Sequence, residues 1–113
     1  MENEINTWLT DIKQAILEIY TFLPEPRIFF EFQKNIMARK AVERNIEIIG
    51  EAVKRILQKS PEINITNARK IVDTRNRFSH GYDSISIDVV WAIVNRDLPT
   101  LEKDIDELLK NRI

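Results

Sequence analysis

Apolar residues recur every three to four positions through most of the chain, and this spacing predicts amphipathic α-helices. The first stripe runs through residues 5–22 and stops at Pro24 and Pro26, because proline cannot continue a helix. The longest stripe predicts a helix over residues 34–59, which ends before Pro61. Two long helices therefore supply most of the predicted core.

Three shorter segments complete the pattern. Residues 27–32 are rich in phenylalanine and are expected to form a helical turn packed over the core, although three phenylalanines also suit base stacking. Residues 89–96 and 100–110 are apolar at helical spacing, and Asp88 is expected to cap the first of them. Pro99 is acceptable in the first turn of the last helix.

The composition agrees with an all-α fold. The chain has 113 residues, the length of one domain, so we expect a single helical domain over residues 1–113. Two glycines and four prolines are too few for the turns of an all-β protein. The prediction is an up-and-down bundle of four main helices plus one or two short helices.

Charge and cysteine content exclude several classes of protein. A formal net charge of −1 does not suit a broadly basic nucleic-acid-binding surface, so RNA would be held by a local patch. With no cysteine and one histidine, disulfides, thiolate chemistry and a structural zinc site are not expected, and neither is a metal or cofactor. No apolar run approaches about 20 residues and the N-terminus is acidic, so we expect a cytoplasmic protein without a membrane span.

Residues 74–82 concentrate the side chains that could carry chemistry, including the single histidine. The stripe of Ala68, Ile71, Val72 and Arg75 predicts a helix, capped by Thr66 or Asn67, that brings Arg75 to its last turns. Gly81 has the character of a C-terminal cap, which puts His80 at or just past the helix end. A plain structural interpretation is also open: an ion-paired arginine, and a histidine that favours the helix dipole.

Glycine in the middle of the longest helix is a second informative position. Gly50 weakens a helix by about 1 kcal/mol relative to alanine, so we expect another helix to cross closely there. The neighbouring polar residues Asn45, Glu47 and Glu51 are either surface residues or a partner that holds Arg75.

The motif Arg75-Asn76-x-x-x-His80-Gly81-Tyr82 resembles the R-x4-H-x-Y signature of HEPN-fold ribonucleases, in the HepT-like branch of toxin–antitoxin systems. Residues 44–52 resemble the long central helix of that branch, and residues 89–94 and 97–99 resemble its closing helices. The resemblance covers nearly the whole chain and implies a HEPN-like bundle that forms a two-fold dimer.

The resemblance also implies an activity: metal-independent endoribonucleolytic cleavage that leaves 2′,3′-cyclic phosphate ends. Histidine suits proton transfer near neutral pH, and the planar arginine fork suits a phosphate, so His80 and Arg75 are the expected catalytic pair. Asn76 and Ser79 are expected to support them through neutral hydrogen bonds. Arg69, Lys70 and Arg77 are expected to bind RNA, unless they form an ordinary solvated face.

One histidine per chain is too few for a reaction that needs both an acid and a base, and a dimer with a composite cleft supplies two. The resemblance further implies that Tyr82 accepts AMP from a partner, a minimal nucleotidyltransferase antitoxin, which neutralises the toxin. Two alternatives stay open at this point: a non-catalytic helical substrate-binding subunit of a nucleotidyltransferase pair, and a helical interaction protein with an accidental motif.

Overall fold

A computed structural model describes residues 2–79 and 86–111, with the side chains of residues 3–76 and 86–111. All regular structure within these residues is helical, which confirms the all-α prediction. His80, Gly81 and Tyr82 lie outside the described residues. The elements are α1 (Glu2–Phe22), α2 (Phe29–Lys34), α3 (Ile36–Lys59), α4 (Ala68–Ser79), α5 (Ile87–Ala92), a π-helical turn (Ile93–Asp97) and α6 (Leu98–Lys110).

The core lies where α3 packs along α1 and where α6 crosses α1. Both long stripes that the sequence predicts are buried there, because each presents one apolar face to the other. The fully buried side chains of these helices include Leu9, Ile12, Ile16 and Ile19 of α1, Val42, Val53 and Ile56 of α3, and Ile105 of α6. No helix of the described residues is long and apolar enough to cross a bilayer.

The aromatic segment packs only in part. Phe32 is buried and stacks on Trp91 with 5.2 Å between ring centroids, and Phe29 meets the same ring edge-on at 5.6 Å. Phe30 is 59% exposed, with the Lys34 ammonium 4.2 Å from its ring centroid. The expectation of a core segment is therefore right for two of the phenylalanines and wrong for Phe30, which lies on the outer face of this short helix.

The C-terminal part is one continuous helical run from residue 87 to residue 110. The prediction that Asp88 caps it is wrong: Ser86 is the cap, its hydroxyl accepting from the Asp88 N–H at 3.2 Å, and Asp88 lies in the first turn. The run continues through Pro99 without a loop, and the proline directly follows the π-helical turn, near the start of α6. In the π-helical turn before it, the Leu98 N–H bonds to the Ile93 carbonyl.

Helix α4, which carries the motif, packs chiefly against α3. Asn67 directly precedes it in a left-handed conformation (φ 57°), and its carbonyl accepts from the Ile71 N–H. None of its side chains from residue 68 to residue 76 is fully buried. The motif helix is thus held mainly along one face.

Candidate functional site

Helices α3 and α4 are in close contact where Gly50 faces Arg75. A Cβ placed on Gly50 would overlap the Arg75 Cβ and would lie only 3.3 Å from the Arg75 Cα. Carbon atoms in ordinary contact are about 3.5–4.0 Å apart, so any side chain at position 50 would push the helices apart. The prediction that a helix crosses close to Gly50 is confirmed, and the crossing helix is the one that carries the motif.

The Arg75 guanidinium is held at two points next to this crossing. Its Nη2 donates to Glu51 Oε1 at 2.9 Å, and its Nη1 donates to Asn76 Oδ1 at 3.0 Å. The two charged side chains are partly buried, 23% exposed for Arg75 and 33% for Glu51. The opposite charges and the two-point contact restrict the rotation of a side chain that is otherwise among the most flexible.

Arg75 forms part of the wall of a groove of about 290 Å³ between α1, α3 and α4, which we call the arginine groove. Its charged residues are of mixed sign, with Arg44, Arg55 and Arg75 lining it together with Asp11, Glu47 and Glu51. Trp8 adds an aromatic surface. The groove therefore offers cationic donors at particular points and no uniform positive field.

A larger groove, of about 670 Å³, lies along the other side of α4 and reaches α6. Lys70, Ile71 and Thr74 of α4 line it, whereas Arg75 does not. Five residues along an α-helix correspond to a rotation that leaves side chains about 140° apart, which separates Lys70 from Arg75. Lys70, which is expected to bind RNA, and Arg75 therefore lie on different faces of α4.

The structure places the predicted site residues as follows. Arg75 and Asn76 are in hydrogen-bond contact. Arg69 and Lys70 lie on α4, with Lys70 exposed and Arg69 beside it on the same helix. Arg77 and Ser79 lie in α4, but the structure describes only their backbone. His80 and Tyr82 lie outside the described residues.

Of the three polar residues near Gly50, Glu51 is the one that holds Arg75. Asn45 has a different role: it is buried, and its amide donates to the Ala41 carbonyl at 2.9 Å and to Glu18 at 3.2 Å. Asp11, Arg44 and Arg55 also line the arginine groove and were not among the residues predicted for the site. By helical spacing Arg44 and Arg55 share one face of α3 with Glu51, and this spacing was a signal in the sequence for the two arginines.

Comparison with known proteins finds relatives over nearly the whole chain. The model of the family Ribonuclease HepT-like matches residues 12–108. The chain is 32% identical over 114 aligned positions to "Probable ribonuclease HepT" of Thermococcus cleftensis, covering 97% of this chain and 100% of that one. It is 30% identical over 114 positions to a "Putative RNase" of Methanocaldococcus jannaschii, covering 97% and 91% of the two chains. No solved structure matches the chain.

Proposed function

The chain belongs to the HepT-like ribonuclease family, and from this premise we propose that it is a metal-independent endoribonuclease toxin of a toxin–antitoxin pair. The observation that carries the proposal is the arginine of the motif, held at the wall of a groove by Glu51 and Asn76. Guanidinium has five N–H donors in a rigid fork, so two anchoring contacts still leave donors for a phosphate.

In the proposed reaction the ribose 2′-hydroxyl oxygen attacks the adjacent phosphorus and the bond from phosphorus to the 5′-oxygen breaks. The hydroxyl proton passes to a base and the leaving 5′-oxygen receives a proton from an acid, so the products are a 2′,3′-cyclic phosphate and a free 5′-hydroxyl. Arg75 stabilises the extra negative charge on the phosphate oxygens in the transition state. His80 performs the proton transfers, while Asn76 and Ser79 orient the reacting groups.

We propose that the active form is a homodimer with a composite site. A single histidine per chain is one reason, because acid and base are then supplied by two copies. The packing of α4 is the other: its described side chains from residue 68 to residue 76 are only partly buried or exposed, which leaves surface for a second copy. Light scattering at micromolar concentration is expected to give the mass of a dimer, and a fully active monomer would contradict the composite site.

We propose further that a nucleotidyltransferase antitoxin adds AMP to Tyr82. This part rests on the family, because Tyr82 lies outside the described residues. AMP on Tyr82 would block RNA by its negative charge and its size. A phosphodiester-linked AMP two residues after His80 puts a negative group where an RNA phosphate would have to enter.

The test of the activity is cleavage of labelled RNA in the presence of EDTA. Wild type is expected to cleave and to leave cyclic phosphate ends, while His80→Ala and Arg75→Ala are expected to lose cleavage by a factor of at least about 100, typical of lost acid–base or electrostatic catalysis. Thermal melting of both variants separates loss of chemistry from loss of fold. Cleavage that EDTA abolishes and magnesium restores would refute the metal-independent mechanism, and an inactive wild type that binds a nucleotidyltransferase would favour the non-catalytic subunit.

A further inference from the structure

The Glu51 carboxylate connects the two helices at their crossing. Its Oε1 accepts from Arg75 Nη2 at 2.9 Å, and its Oε2 lies 3.9 Å from Nε of Arg55, one turn further along α3. The pair to Arg75 is separated by 24 residues in the chain, so only the packing of α3 against α4 brings it together. Gly50, the preceding residue, is what lets the two helices come this close.

A stabilising role alone does not account well for this pair. Ion pairs with this degree of exposure contribute little to folding, because solvent screens them and both side chains lose rotamer freedom. The chain contains a pair of nearly equal geometry on another face: Lys13 and Glu102 are 2.8 Å apart and 25% and 27% exposed. That pair joins α1 to α6, and neither residue lines the arginine groove.

We propose that Glu51 is a positioning residue for the ribonuclease reaction: it fixes the guanidinium of Arg75 in the orientation that meets the scissile phosphate. This inference rests on the proposed function. Catalysis by a held cation depends on geometry, because a group already in place does not have to be ordered when the transition state forms. Glu51 itself would not contact the phosphate, since like charges repel and its carboxylate already faces two arginines.

The opposite role predicts the opposite result. If Glu51 competes with the phosphate for Arg75, removing the carboxylate releases the guanidinium and speeds cleavage. The two roles therefore differ in the sign of the effect on the turnover rate.

The experiment compares Glu51→Ala and Glu51→Gln with the matched control Glu102→Ala. Glu51→Ala is expected to lower kcat by roughly tenfold to a hundredfold with little change in KM for RNA, the effect of a misplaced transition-state contact. Glu51→Gln keeps an oxygen acceptor for Nη2, so its kcat is expected to lie between those of wild type and Glu51→Ala. Glu102→Ala loses an ion pair of nearly the same length and exposure and is expected to keep the wild-type kcat.

A second readout reports the orientation of Arg75 without catalysis. In ¹⁵N NMR spectra the guanidinium N–H signals of Arg75, assigned from their absence in Arg75→Lys, are expected to be resolved in wild type. In Glu51→Ala they are expected to average, because the rotation of the guanidinium is no longer restricted by the carboxylate. Thermal melting of each variant confirms that the proteins compared are folded.

Three outcomes would overturn the inference while leaving the ribonuclease activity intact. These are wild-type or faster turnover by Glu51→Ala, a loss no larger than that of Glu102→Ala, and unchanged Arg75 signals in Glu51→Ala. Absence of cleavage by the wild-type dimer is a different result, because it refutes the proposed function and the positioning role with it.

Discussion

Replacing Gly50 with alanine is the most direct perturbation of the contact between α3 and α4. The added Cβ would overlap the Arg75 Cβ and would lie 2.8 Å from the Arg75 Cγ and 3.3 Å from its Cα. These atoms are close to the backbone, so a rotamer change of Arg75 cannot remove the overlap. The helices have to separate by roughly 1.5 Å to restore ordinary carbon–carbon contact.

Two opposing terms decide the stability of Gly50→Ala. Alanine in a helix interior is favoured over glycine by about 1 kcal/mol, whereas overpacking typically costs about 1–3 kcal/mol. The free energy of unfolding is therefore expected to fall by at most about 2 kcal/mol relative to wild type. Activity is expected to fall much more, by about 100-fold, because a displacement of about 1 Å is enough to misplace a catalytic group.

Urea unfolding and RNA cleavage, measured on the same preparations, test this expectation. Ala38→Val is the matched control: Ala38 is also on α3 and is only 3% exposed, so it too overpacks a buried position. It lies 12 residues before Gly50, about 18 Å away along the helix. The control is expected to lose stability and to keep its cleavage rate once the folded fraction is taken into account.

Two results would refute the reasoning about Gly50. One is a Gly50→Ala protein that is more stable than wild type and cleaves at the wild-type rate, which would mean that the two helices separate without consequence. The other is a loss of cleavage in Ala38→Val equal to that in Gly50→Ala, which would mean that activity follows general overpacking of α3 and not the position of Arg75.

Three further predictions concern separate parts of the chain. Tyr82→Phe removes the acceptor oxygen but keeps the ring, so it is expected to cleave RNA and to gain no AMP mass with a partner nucleotidyltransferase and ATP; a gain equal to wild type would exclude this site. Asn35→Ala removes the side-chain acceptor at the N-terminus of α3 and is expected to lower the free energy of unfolding by about 1 kcal/mol, measured in urea. The hydrogen bond to Glu102 raises the pKa of Lys13 above its ordinary value of 10.5. The contribution of this hydrogen bond to the free energy of unfolding is therefore complete below pH 10.5 and is lost as the pH rises through the folded-state pKa. Unfolding measured from neutral to strongly alkaline pH should therefore show wild type losing more stability than Glu102→Gln, and parallel curves would contradict it.

The helices and the candidate residues could be predicted from the sequence because they depend on local order. A period of 3.6 residues places apolar side chains on one face, and prolines end two of the segments, so α1 and α3 were predicted within three residues at each end. The cap of α5 was assigned to Asp88 when Ser86 holds it, an error of two residues that local propensity cannot resolve, since both side chains are good acceptors. The motif of Arg75 and Asn76 was likewise visible as a string of neighbours.

Only the tertiary structure decided which residues meet across helices. Gly50 indicated a close crossing, but the sequence did not say that Arg75 would be the residue packed on it. The choice of Glu51 over Asn45 as the partner of Arg75 depends on the angle at which α4 crosses α3, and residues six apart on α3 point to different neighbours. The physical reason is that helix formation is set by interactions within a few residues, whereas the arginine groove is set by side-chain volumes and charges brought together from distant positions.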